Sequence, residues 1–190
     1  MKPVRTAIIV TIFWTVAVGG IYPLFMYGVG AVVFPRQSQG SLLVRNGKVV
    51  GSALIGQDFS SDAYFHPRPS SIKYDASNSG ATNWGWTSAD LKKAYTQYMS
   101  DWRKANGNAE PPQDMVMASG SGLDPHVSPQ GAELQLSRVA AARHLTSEEN
   151  GKLLTLVRGF EVGPQLGFLG EPRVNVLELN LALDRQFPGK

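Results

Sequence analysis

From Thr6 to Phe34 the chain runs 29 residues without a charge, TAIIVTIFWTVAVGGIYPLFMYGVGAVVF. As a helix this stretch would extend about 43 Å, at about 1.5 Å per residue. The hydrocarbon core of a bilayer is about 30 Å thick, so one tilted span fits with interfacial residues to spare. The competing reading is a cleaved signal peptide, with Lys2 and Arg5 as its charged region and Ala17-Val18-Gly19 as its cleavage site. That reading predicts an apolar run ending near Gly19, yet the run continues for 15 residues beyond it. The pattern therefore predicts an uncleaved N-terminal transmembrane anchor over residues 1–35 and one soluble domain over residues 36–190.

The apolar segment carries its own irregularities. Gly19, Gly20 and Pro23 sit mid-segment. They weaken or kink a helix, and a proline leaves the carbonyl four residues earlier without its donor. Hydrocarbon supplies no water to that carbonyl, and the small residues Gly28 and Gly30 permit close approach of a second helix. Gly19, Gly20, Pro23 and Gly28 are the expected packing positions for a partner helix. The flanking basic residues are nearly balanced, Lys2 and Arg5 against Arg36, Arg45 and Lys48. The very short charged N-terminal tail favours a cytoplasmic N-terminus, with the domain outside the cytoplasm.

Charge narrows the function classes. The formal net charge is +3, and Lys2 and Arg5 supply two of those charges, while every acidic residue lies beyond position 57. The domain is thus nearly neutral and carries no sign of the basic face that nucleic acid requires. No cysteine is present, which excludes thiolate zinc sites and cysteine nucleophiles. His66, His126 and His144 show no ligand spacing, so no metal site is expected. There is no G-x-S-x-G, and no catalytic residue is assigned.

The domain reads as mixed α+β. Ser41 to Gly56 predicts a hairpin about Asn46-Gly47. Gln57 to Trp86 predicts a long, turn-rich loop, with His66 to Pro69 extended and solvated. Thr87 and Asp90 resemble a capping box for a helix over Ser88 to about Asn106. Leu91, Ala94, Tyr95, Tyr98, Trp102 and Ala105 form its core-facing stripe. Asp114 to Ala118 is a short buried-strand candidate. Ser128 and Pro129 open a helix that continues through Ala132, Leu136, Val139, Ala140 and Arg143. Thr146 and Glu149 form a capping box for a helix ending near Gly159. Arg173 to Val176 reads as a strand, and Leu177 to Phe187 fits either a helix or a strand.

Ser119-Gly120-Ser121-Gly122, ahead of the Ser128 helix start, could present backbone N–H groups to an anion. No Walker lysine follows, no Lys or Arg lies between Asp114 and Gln135, and Asp124 would repel a phosphate. A tight connecting turn is the better reading of the residues alone.

Several separated blocks carry a family resemblance. They are GGIYPL (Gly19–Leu24), GSLLVRNGKVVGSALIGQDF (Gly40–Phe59), YFHPRPS (Tyr64–Ser70), SGSGLD (Ser119–Asp124) with the PHVSPQGAELQLSRVAAAR that follows, and VNVLELNLALD (Val174–Asp184). In this order and behind this anchor, the chain resembles the C subunit of the Kdp potassium-transporting ATPase across its length. NWGWTS (Asn83–Ser88) departs from it, where a proline-containing turn is expected. The resemblance implies an accessory, non-catalytic subunit in a bacterial inner membrane. Its implied partners are a potassium-channel-like subunit, a P-type ATPase subunit bearing the phosphorylated Asp, a small single-span subunit, and membrane lipid. It further implies a catalytic chaperone that raises the pump subunit's affinity for ATP. Ser119, Gly120, Ser121, Gly122 and Gln130 would then be ATP-binding residues, on comparison of that loop with an ABC-type signature. The alternative is an extracytoplasmic cap of the channel subunit that never touches nucleotide.

Overall fold

The computed structural model describes residues 2–188; Met1 and residues 189–190, the ends of the two expected segments, lie outside them. Two compact units result, one up to Ser52 and one from Ala53 onward.

The first unit is dominated by a helix over Pro3–Val33, 31 residues whose most apolar 18-residue window has mean hydropathy 2.0 and nothing buried. It is long and apolar enough to cross a membrane, as the uncharged run predicts. It has three parts: α1 (Lys2–Val16), a π-helical turn (Ala17–Ile21) and α2 (Tyr22–Val33). The Tyr22 N–H donates to the Ala17 carbonyl, five residues back rather than four. Pro23 accounts for this widening, because its ring crowds the carbonyl of Gly19 and it offers no N–H in return. A short turn, α3 (Pro35–Ser38), leads to the hairpin of β1 (Leu42–Arg45) and β2 (Lys48–Ser52). Asn46 and Gly47 both take positive φ (51° and 74°), as the turn chemistry demands.

The second unit is mixed α+β. Its helices are α4 (Ala89–Asn106), α5 (Pro129–Glu133), α6 (Leu136–Ala142), α7 (Ser147–Gly159) and α8 (Val176–Gln186). Its sheet has the order β3-β5-β4, all antiparallel, from β3 (His126–Val127), β4 (Glu161–Val162) and β5 (Arg173–Asn175). Phe65, Trp102, Val139, Leu153, Val157, Val174, Leu179 and Leu183 form one core. Burying a side chain of this size contributes about 1.5–3 kcal/mol.

Several expectations change on folding. The cap of α4 is Ser88, whose side chain accepts from the Leu91 N–H, and not Thr87. Of the stripe on α4 only Trp102 is fully buried; Tyr98 packs partly on the core and Tyr95 is exposed. Asp114 to Ala118 is not a strand: Gln113–Met115 makes one 3-10 turn that buries Met115. Asp114 is occupied instead, accepting from the Ser128 N–H at 2.7 Å and its hydroxyl at 3.0 Å. The helix opened by Ser128 breaks into α5 and α6 at Leu134-Gln135. The Gln135 side chain donates to the Gly131 carbonyl at 3.0 Å, taking the acceptor its own backbone N–H would use in a continuous helix. Leu177 to Gln186 is helical because Asn175 caps it, accepting from the Glu178 N–H at 3.1 Å. The capping box of Thr146 and Glu149 forms as expected.

Candidate functional site

His66 to Pro69 is not a solvated stretch. Buried side chains on α6, at its two caps and on α8 hold the backbone leading into it. Asn180 Oδ1 accepts from the Phe65 N–H at 2.9 Å, and its Nδ2 donates to the Phe65 carbonyl at 3.0 Å. Gln135 does the same for His66, at 2.7 and 3.2 Å. Arg138 donates to the carbonyls of Asp62 and Tyr64. Arg143 donates to the Ala63 carbonyl and to Asp184, 2.7 Å away, and lies over the Tyr64 ring. A buried loop backbone needs such partners, since a peptide group left unpaired there costs about 1–3 kcal/mol. Burial and the Arg138 guanidinium hold the His66 imidazole below its usual range. Burial likewise lowers Arg138, to about 10, with Asp62 opposing.

This pinned segment carries Arg68 to Asp124, the two meeting at 2.8 Å. Burial alone would raise the Asp124 carboxyl. Hydrogen bonds from His126 and the Arg68 guanidinium outweigh it and hold that carboxyl at about 2. The Tyr74 hydroxyl donates to the Arg68 carbonyl, and burial with nearby Asp58 and Asp124 pushes that phenol up.

The glycine loop packs against the same segment, largely through its own backbone. The Ser119 N–H donates to Pro69 and the Gly122 N–H to Ser119; the Leu123 N–H donates to the Ser121 hydroxyl. The carbonyls of Ser121, Gly122 and Leu123 accept from Gly80, the Ser70 hydroxyl and Gly56. Gly122 has φ +68°, and a Cβ there would stand 2.5 Å from Ile72 Cγ1. Glycine is required at that point for both reasons. Gly120 and Ser121 are exposed, while Ser119 and Gly122 are buried.

Beside the loop lies a cleft of about 920 Å³, walled by Gln113, Asp114, Asp124, His126, Ser128, Gln130, Glu161, Glu171, Arg173 and Arg68 among others. Gln130 faces this cleft; Ser119 to Gly122 are not part of its wall. Gln130 thus lines the cleft, and the four loop residues with which the resemblance groups it do not. Four carboxylates against two guanidiniums give the lining a net negative balance. Glu161, Glu171 and Arg173 carried no sequence signal for this cleft, because they reach it only through sheet pairing from the far end of the chain. Among the described residues no group of His, Asp and Glu is arranged to hold a metal ion.

The family model described as KdpC: K+-transporting ATPase, c chain matches residues 4–185. The chain belongs to the KdpC family. Among KdpC relatives, a potassium-transporting ATPase KdpC subunit of Rhodospirillum rubrum is 47% identical over 192 residues, covering 99% of this chain and 98% of the relative. One from Rhodopseudomonas palustris is 46% identical, covering 99% of both chains. One from Geobacter sulfurreducens is 44% identical, covering 99% of this chain and 100% of the relative. The KdpC match runs through the apolar helix, the pinned loop and the glycine loop alike.

Proposed function

We propose that this chain is the accessory, non-catalytic subunit of an ATP-driven potassium importer in a bacterial inner membrane. Its partners are a potassium-channel-like subunit, a P-type ATPase subunit and a small single-span subunit. The N-terminus lies in the cytoplasm and the domain outside it. The chain stabilises assembly and raises the pump subunit's affinity for ATP through the membrane helix, as a coupling energy between two sites. The observation that carries this reading is the π-turn of Ala17–Ile21. It sits in a helix whose Gly19, Gly20 and Gly28 each have open space where a Cβ would be. Turns of this kind concentrate at functional positions, and open glycines admit a neighbouring helix. The net negative balance of the cleft argues on the same side, since a nucleotide is an anion.

A second reading keeps direct contact with ATP through Gln130. It is favoured by the exposure of Gln130 on a cleft that also holds Arg68 and Arg173. One experiment separates the two. The chain has no native cysteine, so Ser121→Cys can be probed in intact cells with a membrane-impermeant maleimide. Labelling of intact cells, with Gly20→Val or Gly28→Val reducing co-purification of the partner subunits and Gln130→Ala leaving ATP affinity unchanged, is the expected result. Labelling only after the membrane is opened, with Gln130→Ala weakening ATP binding, selects the second reading.

A further inference from the structure

The loop before α4 places two tryptophans in the open. Residues 83–87 are all exposed, with Trp84 at 40% and Trp86 at 91% of full exposure. Trp102, one element away, shows the opposite behaviour: it is buried at 6%, and its indole N–H donates to the Ala109 carbonyl at 3.1 Å. Neither Trp84 nor Trp86 has a hydrogen-bond partner for its indole among the described residues. Packing within this unit therefore gives no reason for Trp86. A large indole facing bulk water is unfavourable unless something else receives it.

Indole suits the headgroup layer of a bilayer, with an apolar body for the acyl boundary and an N–H for the polar region. Charge points the same way. The helix that begins at this loop carries Lys92, Lys93, Arg103 and Lys104 against Asp90 and Asp101. Such a balance is drawn to anionic lipid. Another exposed apolar loop, Leu166 to Leu169, differs: Glu161 and Glu171 bracket it with Arg158 and Arg173 just beyond, so it carries no excess of cations to draw such lipid. Connectivity adds a third argument: a domain tethered to a membrane-spanning helix meets the bilayer at high effective concentration, so a small apolar contact suffices.

We propose that the Trp84–Trp86 loop is an interfacial anchor that seats the domain on the headgroup layer of an anionic bilayer. This rests on the reading of residues 3–33 as a membrane span. Both indoles enter the interface, and the cations of α4 face lipid phosphate.

The test uses the full chain in vesicles of phosphatidylcholine and phosphatidylglycerol, three to one. Single spin labels are placed at Thr87→Cys beside the intact indoles, at Ser147→Cys on α7, and at Val18→Cys in the apolar helix. Collision with oxygen, enriched in lipid, is compared with collision with a water-soluble nickel chelate. The expected result is a lipid-like ratio at positions 87 and 18 and an aqueous ratio at 147, with position 87 turning aqueous in the Trp84→Ser, Trp86→Ser double variant. An aqueous ratio at 87 beside a lipid-like ratio at 18 overturns the anchor and leaves the membrane span standing. An aqueous ratio at 18 overturns the span, and the anchor with it. A label at 87 that is aqueous in the chain alone, and shielded from both reagents only in the assembled transporter, assigns the loop to a protein partner and overturns the lipid assignment.

Discussion

Val10 and Val174 are the same residue with opposite fates. Val10 stands 47% exposed on the apolar helix, while Val174 is wholly buried at the centre of the three-stranded sheet. The whole chain divides along this line. Up to Ser52 only Ser41 is buried among the residues whose burial is described, although this unit holds the most apolar sequence of the protein. From Ala53 onward a less apolar sequence builds a closed core. Composition alone would reverse the two. The difference teaches that burial follows from whether a segment can cover its own apolar surface, which a lone helix cannot do. The first unit needs another solvent; the second brings its own.

Thermal unfolding of the detergent-solubilised chain sharpens this contrast. Leu183, fully buried on α8, is expected to cost about 2–5 kcal/mol when changed to Ala. Val10→Ala should leave the same transition in place. An equal loss from both would mean that the helix and the domain unfold as one body, and the contrast would fail.

Next in size is the polar scaffold of the second unit. Gln135→Leu keeps volume but strips the His66 backbone of both its partners. The expected loss is about 1–3 kcal/mol. Faster amide exchange at His66 should accompany it, with α7 unaffected. Unchanged exchange there would mean that water replaces the side chain, and that the loop does not depend on it.

The smallest expected effect concerns acid. The Asp124 carboxyl is held at about 2, below its ordinary 3.8. A carboxyl depressed on folding stabilises the fold above its unfolded value and loses that contribution as pH falls through the folded one. Stability should therefore decline between pH 3.8 and about 2. In Asp124→Asn that part of the decline should flatten. A variant with the same acid profile as the parent would show that the bonds from His126 and Arg68 contribute nothing there.

How much of this was legible in the sequence depended on the range of the interaction. Local chemistry read well: Asn46-Gly47 made its turn, Thr146 and Glu149 their capping box, and Ser128 with Pro129 a helix start. The uncharged run gave the apolar helix because length and hydropathy are summed over neighbours. Periodicity left Leu177 to Phe187 open between helix and strand, and the deciding signal was the cap at Asn175 and not the period of the leucines. The pinning of the loop at Phe65 and His66 could not be read at all. Asn180 and Gln135 lie 115 and 69 residues away from the peptides they hold, and nothing in a single polar residue announces such a partner. The candidate loop was visible as glycines and serines. Its packing against residues 69–80, and its exclusion from the cleft that Gln130 faces, are products of tertiary geometry.

The π-turn has a consequence for anything that reads the helix from outside. Each residue of an α-helix advances about 100° around the axis, at 3.6 residues per turn. A turn that closes five residues back instead of four inserts one extra step. A stripe that follows Ile8 and Ile12 along α1 therefore does not continue in phase along α2; it re-emerges about 100° further round. One strand of polypeptide thus offers differently directed faces in its two halves, as a key is cut differently near the tip and near the bow. A substitution scan from Val4 to Val33 should show two helical periodicities, offset at Ala17–Ile21, and not one.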